Sequence, residues 1–434
     1  MSVHTEAREK KSIAWQAADW ASTLRWQDVP PEVIDNAKLR ILDVVGVLLA
    51  ASRAQEARGV LQAALELYGA GGYPIVGFRD RCGLAGASLV NGAMSAILEF
   101  DDTHIETAIH PSAPVVAAAL PYASMHGATG QDFLRAVIVG SELVCRIGLI
   151  GPRFHSLLFH PTGIFGIFGA IYSLASLMKL EVDMTASAIG IGGSMAAGSM
   201  SSWDDGSDAK SLQPGLAAAS AVRSVVLARN GLTGPHRVFE SDFGFFRSHV
   251  QSDPSRLRYE ALNAELGKRW ESLNIASKAY PSAFTIHPYI DSILDLRNAH
   301  GLRHEDVAEI TCSVAPIFIK DICEPREDKL RPRTSWHARI SLQHMVAEAL
   351  VTGVMDRDSM TPALLRDPTI NRLAEKIICV TDAEPLDLKR SGGKIRVRLC
   401  DGRDLNHQVE DMRGTRSNPI RRDDYFAKFK RNAD

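Results

Sequence analysis

Residues 98–114 read LEFDDTHIETAIHPSAP and lie between two runs rich in Ala, Val, Ile and Leu. The segment holds four acids (Glu99, Asp101, Asp102, Glu106), two histidines (His104, His110) and two threonines (Thr103, Thr107). The flanking runs have helical spacing, so the polar stretch reads as an interhelical turn against a buried surface, not a solvated tail.

Outward from that turn, the apolar spacing predicts helices over 12–29, from Pro30-Pro31 onward, and over about 85–98, 113–125, 131–150, 162–178, 185–197 and 213–230. The 85–98 run is built from Ala, Gly, Ser and Met, which suits close packing in the middle of a bundle. A brief β-like piece covers 73–78. From about residue 275 the texture changes: helices over 288–298, 341–350 and 369–376 alternate with strand-like runs at 307–314 and 377–380. KIRVRLCDGRDLNHQV reads as a hairpin turning at Asp401-Gly402, a type I′ dipeptide, and 422–430 reads as a last amphipathic helix. The expected fold is mostly α: an all-helical domain over 1–272, rejoined by 412–434, and a smaller α+β domain over 273–411.

A chain of 434 residues exceeds what one core usually serves. The formal net charge of -2 gives no electrostatic reason to expect nucleic acid or an acidic membrane surface as a partner. The six cysteines are scattered with no CxxC pair, as expected for small buried side chains in a reducing compartment. MSVHTEAREKKSIAW has no apolar run after its charges, and the early apolar run 44–51 is far below the roughly 20 residues of a membrane span. These features point to the cytoplasm.

Each chemical group also has a bland reading. Asp102 and Thr103 are favoured caps; His110 precedes a proline, as turn residues do. His160 precedes a small-residue helix whose N-terminus favours an anion. Lys210 is the lone cation near the start of another such helix, and His287 sits before a third, where the two domains should meet.

What raises the odds is the combination. LEFDDTH with HPSAP, FHPTGIFGIFGA, AKSLQPGLAAASAV, ARNGLTGPHRVFE and KAYPSAFTIHPYIDSIL occur in one order and together resemble the MmgE/PrpD family over roughly residues 12–430. That resemblance implies a helical domain with an α+β lid, usually a homodimer without metal or organic cofactor, and 2-methylcitrate dehydratase, cis-aconitate decarboxylase or iminodisuccinate epimerase activity. Carried over by position, it implies a cleft lined by Asp102, Thr103, His110, His160, Lys210 and His287. Glu99 stands where the decarboxylase branch carries aspartate, and the gap from Thr103 to His110 is a residue longer. Both departures count against the decarboxylase assignment more than against the family, and the expected activity is a hydro-lyase of the 2-methylcitrate dehydratase type in which His110 or His160 removes the proton.

The three reactions share one hard step, moving a proton at a carbon next to a carboxylate. Histidine, with an unperturbed pKa of about 6.5, does this at neutral pH and contributes about 10²- to 10⁴-fold in rate. Lys210 and the helix N-termini after His160 and Lys210 would hold substrate carboxylates. Glu99, His287 and Arg339 are expected to contact the substrate, with Arg331 and Arg333 as further lid candidates. The expected partner is a small polycarboxylate. Two other classes remain: a metal enzyme using His104, His110, His155, His160 and His287, against which stands the lack of any HExxH spacing, and a non-catalytic dimeric carboxylate-binding protein.

Overall fold

In a computed structural model, residues 11–152, 158–381 and 392–434 are described. The fold is mostly α with a smaller α+β domain. Its helical body begins with α1 (Ile13–Thr23), α2 (Pro31–Ala51) and α3 (Gln55–Tyr68). The first is shorter than its spacing suggests, because the chain turns at Leu24 and makes only a single tight turn at Trp26–Asp28. Nothing in the sequence reading foresaw α3; its polar face hid the stripe formed by Ala57, Leu61 and Ala64. A small hairpin, β1 (Ala70–Pro74) with β2 (Arg81–Cys82), leads to α4 (Leu84–Ile97). After β3 (Thr103–His104) come α5 (Ser112–Met125), α6 (Gly130–Gly148), α7 (Pro161–Met178), α8 (Val182–Gly193), the short α9 (Ser202–Asp205) and α10 (Ala209–Arg229).

Residue size explains the packing. The α4 and α10 backbones meet at Gly92 and Gly215, where a Cβ on Gly92 would lie 2.5 Å from Gly215 Cα. By length and composition α7 could cross a membrane, with mean hydropathy 1.4 over 18 residues, but 78% of it is buried inside the protein. It is the bundle's central helix, and Phe165 and Phe168 pack edge-on against Phe245.

The chain leaves the body through β4 (Ile275–Ala276), which pairs antiparallel with β3. The second domain then contains α11 (His287–His300), β5 (Val307–Val314), α12 (Pro316–Ile322), α13 (Arg326–Leu330), α14 (Ser335–Arg339), α15 (Leu342–Thr352), α16 (Pro368–Glu375), β6 (Ile377–Thr381), β7 (Gly393–Leu399) and β8 (Asp404–Val409). Its four-stranded sheet has the order β6-β5-β7-β8, with only the β5–β6 pair parallel. Along β7, Ile395, Val397 and Leu399 are buried and the residues between them are not, as expected of a sheet covered on one face. The β7–β8 connection is not a two-residue turn: it spans Cys400–Arg403, and Gly402 is its only residue at positive φ. Type I′ needs positive φ at both central residues, which Asp401 does not adopt.

The apolar core of the body runs to Ile275 and that of the second domain begins at Tyr280. The last helix, α17 (Arg422–Ala433), returns to pack on α2, where Lys428 Nζ lies 2.7 Å from Asp43 Oδ1.

Candidate active site

The turn after α4 opens with Glu99 in the left-handed region, φ 50°. That conformation costs free energy for a residue with a side chain, and such strain tends to collect at functional sites. It places a buried carboxylate between two buried ammonium groups: Lys210 donates to Oε2, and Lys278 Nζ donates to Oε1 at 2.9 Å and to the Glu99 carbonyl at 3.1 Å. The two lysines hold the Glu99 carboxyl well below the usual range against the opposing effect of burial.

Lys210 is the second residue of α10 rather than part of a preceding loop. Lys278 was missed by sequence reasoning, although it is the first residue of KAYP. It reaches the site because β3 pairs with β4, and two residues later its side chain lies over the 99–101 turn, 3.8 Å from Asp101.

The same turn supports His110. Its Nδ1 lies 2.8 Å from the Asp102 carbonyl, 3.2 Å from Thr103 Oγ1 and 3.4 Å from Asp101 Oδ2. A carbonyl only accepts, so Nδ1 carries the hydrogen and Nε2 keeps its lone pair. The ring of His160, at the start of α7, lies 5.8 Å from that of His110 between centroids, and neither of its nitrogens has a close hydrogen bond among the described residues. Burial, reinforced by the nearby lysines, pushes both imidazoles well below their ordinary pKa, so both are neutral at pH 7.

Glu99, His110 and His160 line one cavity of about 110 Å³. By the usual measure this holds several water molecules, the scale of a small acid. Thr107, Met200 and Trp203 line it from the helical side. Phe284, Phe318 and Asp321 close it from the α+β domain. The cavity therefore has the Glu99 carboxylate and two neutral imidazoles on its helical side and a mostly apolar wall from the other domain; Lys210, expected to touch the substrate, reaches it only through Glu99 and does not line it.

Other expected residues lie elsewhere. The Asp102 carboxylate faces the start of α5, accepting from Ser112 N at 3.1 Å and from the Ser112 hydroxyl, with Arg40 at 3.8 Å. It organises the turn from behind, and its neighbour Asp101 faces His110. Thr103 touches His110 without lining the cavity. His287 is fully buried against Tyr280, ring centroids 5.4 Å apart, and does not line the cavity. Arg331 pairs with Glu375 and Arg333 with Asp328, both outside it. Arg339 lines a different cavity. Among the described residues no three His, Cys, Asp or Glu side chains converge as a metal cage. His104 binds Thr107 at 2.9 Å and faces Glu271 at 3.6 Å; His155 lies outside the described residues.

These groups set a pH dependence of stability. His110, His160 and His287 are all held below the unfolded value of 6.5, so below that pH the unfolded chain takes up protons that the folded one refuses. Stability falls as pH drops through that value. Asp43 and Asp101, pushed up to about 6 by burial, act oppositely between about 6 and their unfolded value of 3.8, where the folded protein holds the extra protons. Glu99, held low by Lys210 and Lys278, and Glu271, held low chiefly by its hydrogen bonds with His104 and Asn274, add to the loss below their unfolded value of 4.5. The expected result is a shallow decline in urea midpoint from pH 6.5 to about 4.5 and a steep one below. A steep fall already complete by pH 5.5 would contradict the opposing role of the two aspartates.

The motifs fall into place once the fold is known. Profiles of the MmgE/PrpD N-terminal domain and the MmgE/PrpD C-terminal domain match residues 16–258 and 280–434. A cis-aconitate decarboxylase-like protein of Aspergillus oryzae is 27% identical over 432 residues, covering 94% of this chain and 88% of that protein. A cis-aconitate decarboxylase of Aspergillus terreus is 26% identical over 440 residues, covering 95% and 87%. Both domain profiles match in order, and their junction falls where the helical body gives way to the α+β domain, so the chain belongs to the MmgE/PrpD family.

Proposed function

We propose that the chain is a cofactor-independent lyase of a small di- or tricarboxylic acid, moving a proton at the carbon next to a carboxylate. The observation that carries this reading is His110, whose Nδ1 is fixed by the Asp102 carbonyl while its ring faces a cavity shared with His160. In the first form of the reaction, a hydro-lyase of the 2-methylcitrate dehydratase type, His110 Nε2 takes the proton. The C–H electron pair becomes the new double bond, and the hydroxyl leaves as water with a proton from His160.

His160 can carry that proton in the complex because substrate carboxylates offset the burial and the lysine charges that keep it neutral when the site is empty. Lys210 and Lys278 stand behind Glu99, outside the cavity lining, and offset through space the negative charge developing on the substrate carboxylate, in a site where the second domain keeps water out.

A second reading, loss of CO₂ with reprotonation at carbon, is favoured by the names of the two Aspergillus relatives. It uses the same imidazoles, one of them delivering the proton to carbon. A homodimer in the cytoplasm is part of either reading.

Proton and carbon NMR in D₂O with 2-methylcitrate, citrate, cis-aconitate and iminodisuccinate separates them. Loss of water from 2-methylcitrate supports the first reading and loss of CO₂ from cis-aconitate the second. Turnover of iminodisuccinate alone would replace both with epimerisation, and no turnover or deuterium exchange with any of the four would sink the proposal.

A further inference from the structure

A second cavity of about 430 Å³ is lined by residues of both domains. The helical body contributes Arg53, Leu98 and Ser211, and the α+β domain contributes Trp336, Arg339 and Arg357. Leu98 and Ser211 directly adjoin Glu99 and Lys210 in the chain, so this cavity borders the turn and the helix that carry the Glu99–Lys210 pair. Trp336 meets Trp203 of the catalytic cavity edge to face, ring centroids 5.1 Å apart.

Arg339 is the unexplained group. It is 3% exposed and forms no ion pair with any described residue; the Glu348 carboxylate, and more weakly Glu99 and Glu56, act on it from beyond contact distance, and Glu348 already binds His344 and the Met360 amide. Its Nη1 donates to the Pro281 carbonyl at 3.0 Å, while its Nε is buried without a partner. Taking a guanidinium out of water without a counter-charge in contact is unfavourable, and proteins normally offset it with a bound anion. The other two arginines are spoken for: Arg53 and Arg357 donate to the Ala433 and Asn432 carbonyls at the end of α17, and Arg357 also lies 3.5 Å from Asp358. Glu56, Asp208 and Asp358 share the lining, but none of them pairs with Arg339.

We infer that this interdomain cavity is a second binding site, for a small oxyanion, with Arg339 as its principal ligand. Phosphate and carboxylate share the required chemistry, planar or tetrahedral oxygens that a guanidinium grips in pairs. Because the walls come from both domains, the bound anion ties them together next to Lys210 and Glu99. The site is separate from the proposed reaction and stands or falls independently of it.

The test is thermal unfolding of the full chain in an anion-poor buffer, titrated with phosphate or with tricarballylate, a saturated tricarboxylate, against chloride at matched ionic strength. The wild type and His160→Ala are expected to gain Tm with at least one oxyanion, because the latter change alters only the catalytic cavity. Arg339→Met is expected to lose the gain while unfolding no lower than wild type without anion, since the buried unpaired charge has gone. Ser335→Trp keeps Arg339 but fills the rim of the cavity, and it too is expected to lose the gain. A response to phosphate alone or to tricarballylate alone names the class of anion. No oxyanion-specific gain in the wild type overturns the inference, as does a gain that survives Arg339→Met and Ser335→Trp or disappears in His160→Ala.

Discussion

Glu99→Gln is expected to destabilise the protein by about 3–5 kcal/mol, the usual cost of removing one partner from a buried ion pair. The reason is geometric. Lys210 has Glu99 as its only ion-pair partner among the described residues, and Lys278 otherwise has only Asp101, at 3.8 Å. A glutamine leaves two ammonium groups facing each other across a neutral amide, one of whose ends is itself a donor. Lys210→Met should cost much less, because Glu99 keeps Lys278. Urea denaturation of the two variants checks the ordering. A Glu99→Gln protein within about 0.5 kcal/mol of wild type, the range of an ordinary surface change, would show that the three charges are not held together as described.

The second large effect separates folding from chemistry. The ring nitrogens of His160 have no hydrogen bond of ordinary length to lose, only a looser approach of the Gln213 side chain, so His160→Phe, which keeps a ring in the same space, should change the urea midpoint little. Turnover of whichever acid proves to be the substrate should fall by about 10²- to 10⁴-fold, the contribution of a positioned general acid or base. Retention of more than a tenth of the wild-type rate would remove His160 from the proton transfer. His110 is less clean for this purpose, because it also holds the turn through the Asp102 carbonyl.

Much of this site was legible in the sequence for a physical reason: the turn 99–111 is local, so the residues that build its floor and orient His110 are neighbours in the chain. Periodicity placed most helices to within a few residues, as for α4, α5 and α7. What escaped depends on long-range contacts. Lys278 joins Glu99 only through a pairing of two-residue strands, Thr103 with Ala276 and His104 with Ile275, too short to announce themselves. Asp101 and Asp102 are adjacent and chemically identical; only the fold decides that Asp102 binds Ser112 and Asp101 faces His110. His287 carried a plausible motif, yet its α11 turns it into the core of the second domain. Arg339 could be picked out as a lid cation, but no pattern says which of two adjoining cavities it serves.

The β3–β4 pairing has a mechanical consequence. The chain crosses between the two cores at two places that touch, since Ser277 N donates to the Gly414 carbonyl at 3.1 Å. The second domain is thus an insert hung from one edge, like a shell on its ligament. Lys278 sits at that edge, held by Glu99 and by its own carbonyl, which accepts from Lys428 at 2.9 Å. Phe284 and Phe318 belong to the insert itself. Swinging the insert outward would carry off the greasy wall and admit an acid, while the cluster of fixed charges that must recognise it stays assembled at the pivot.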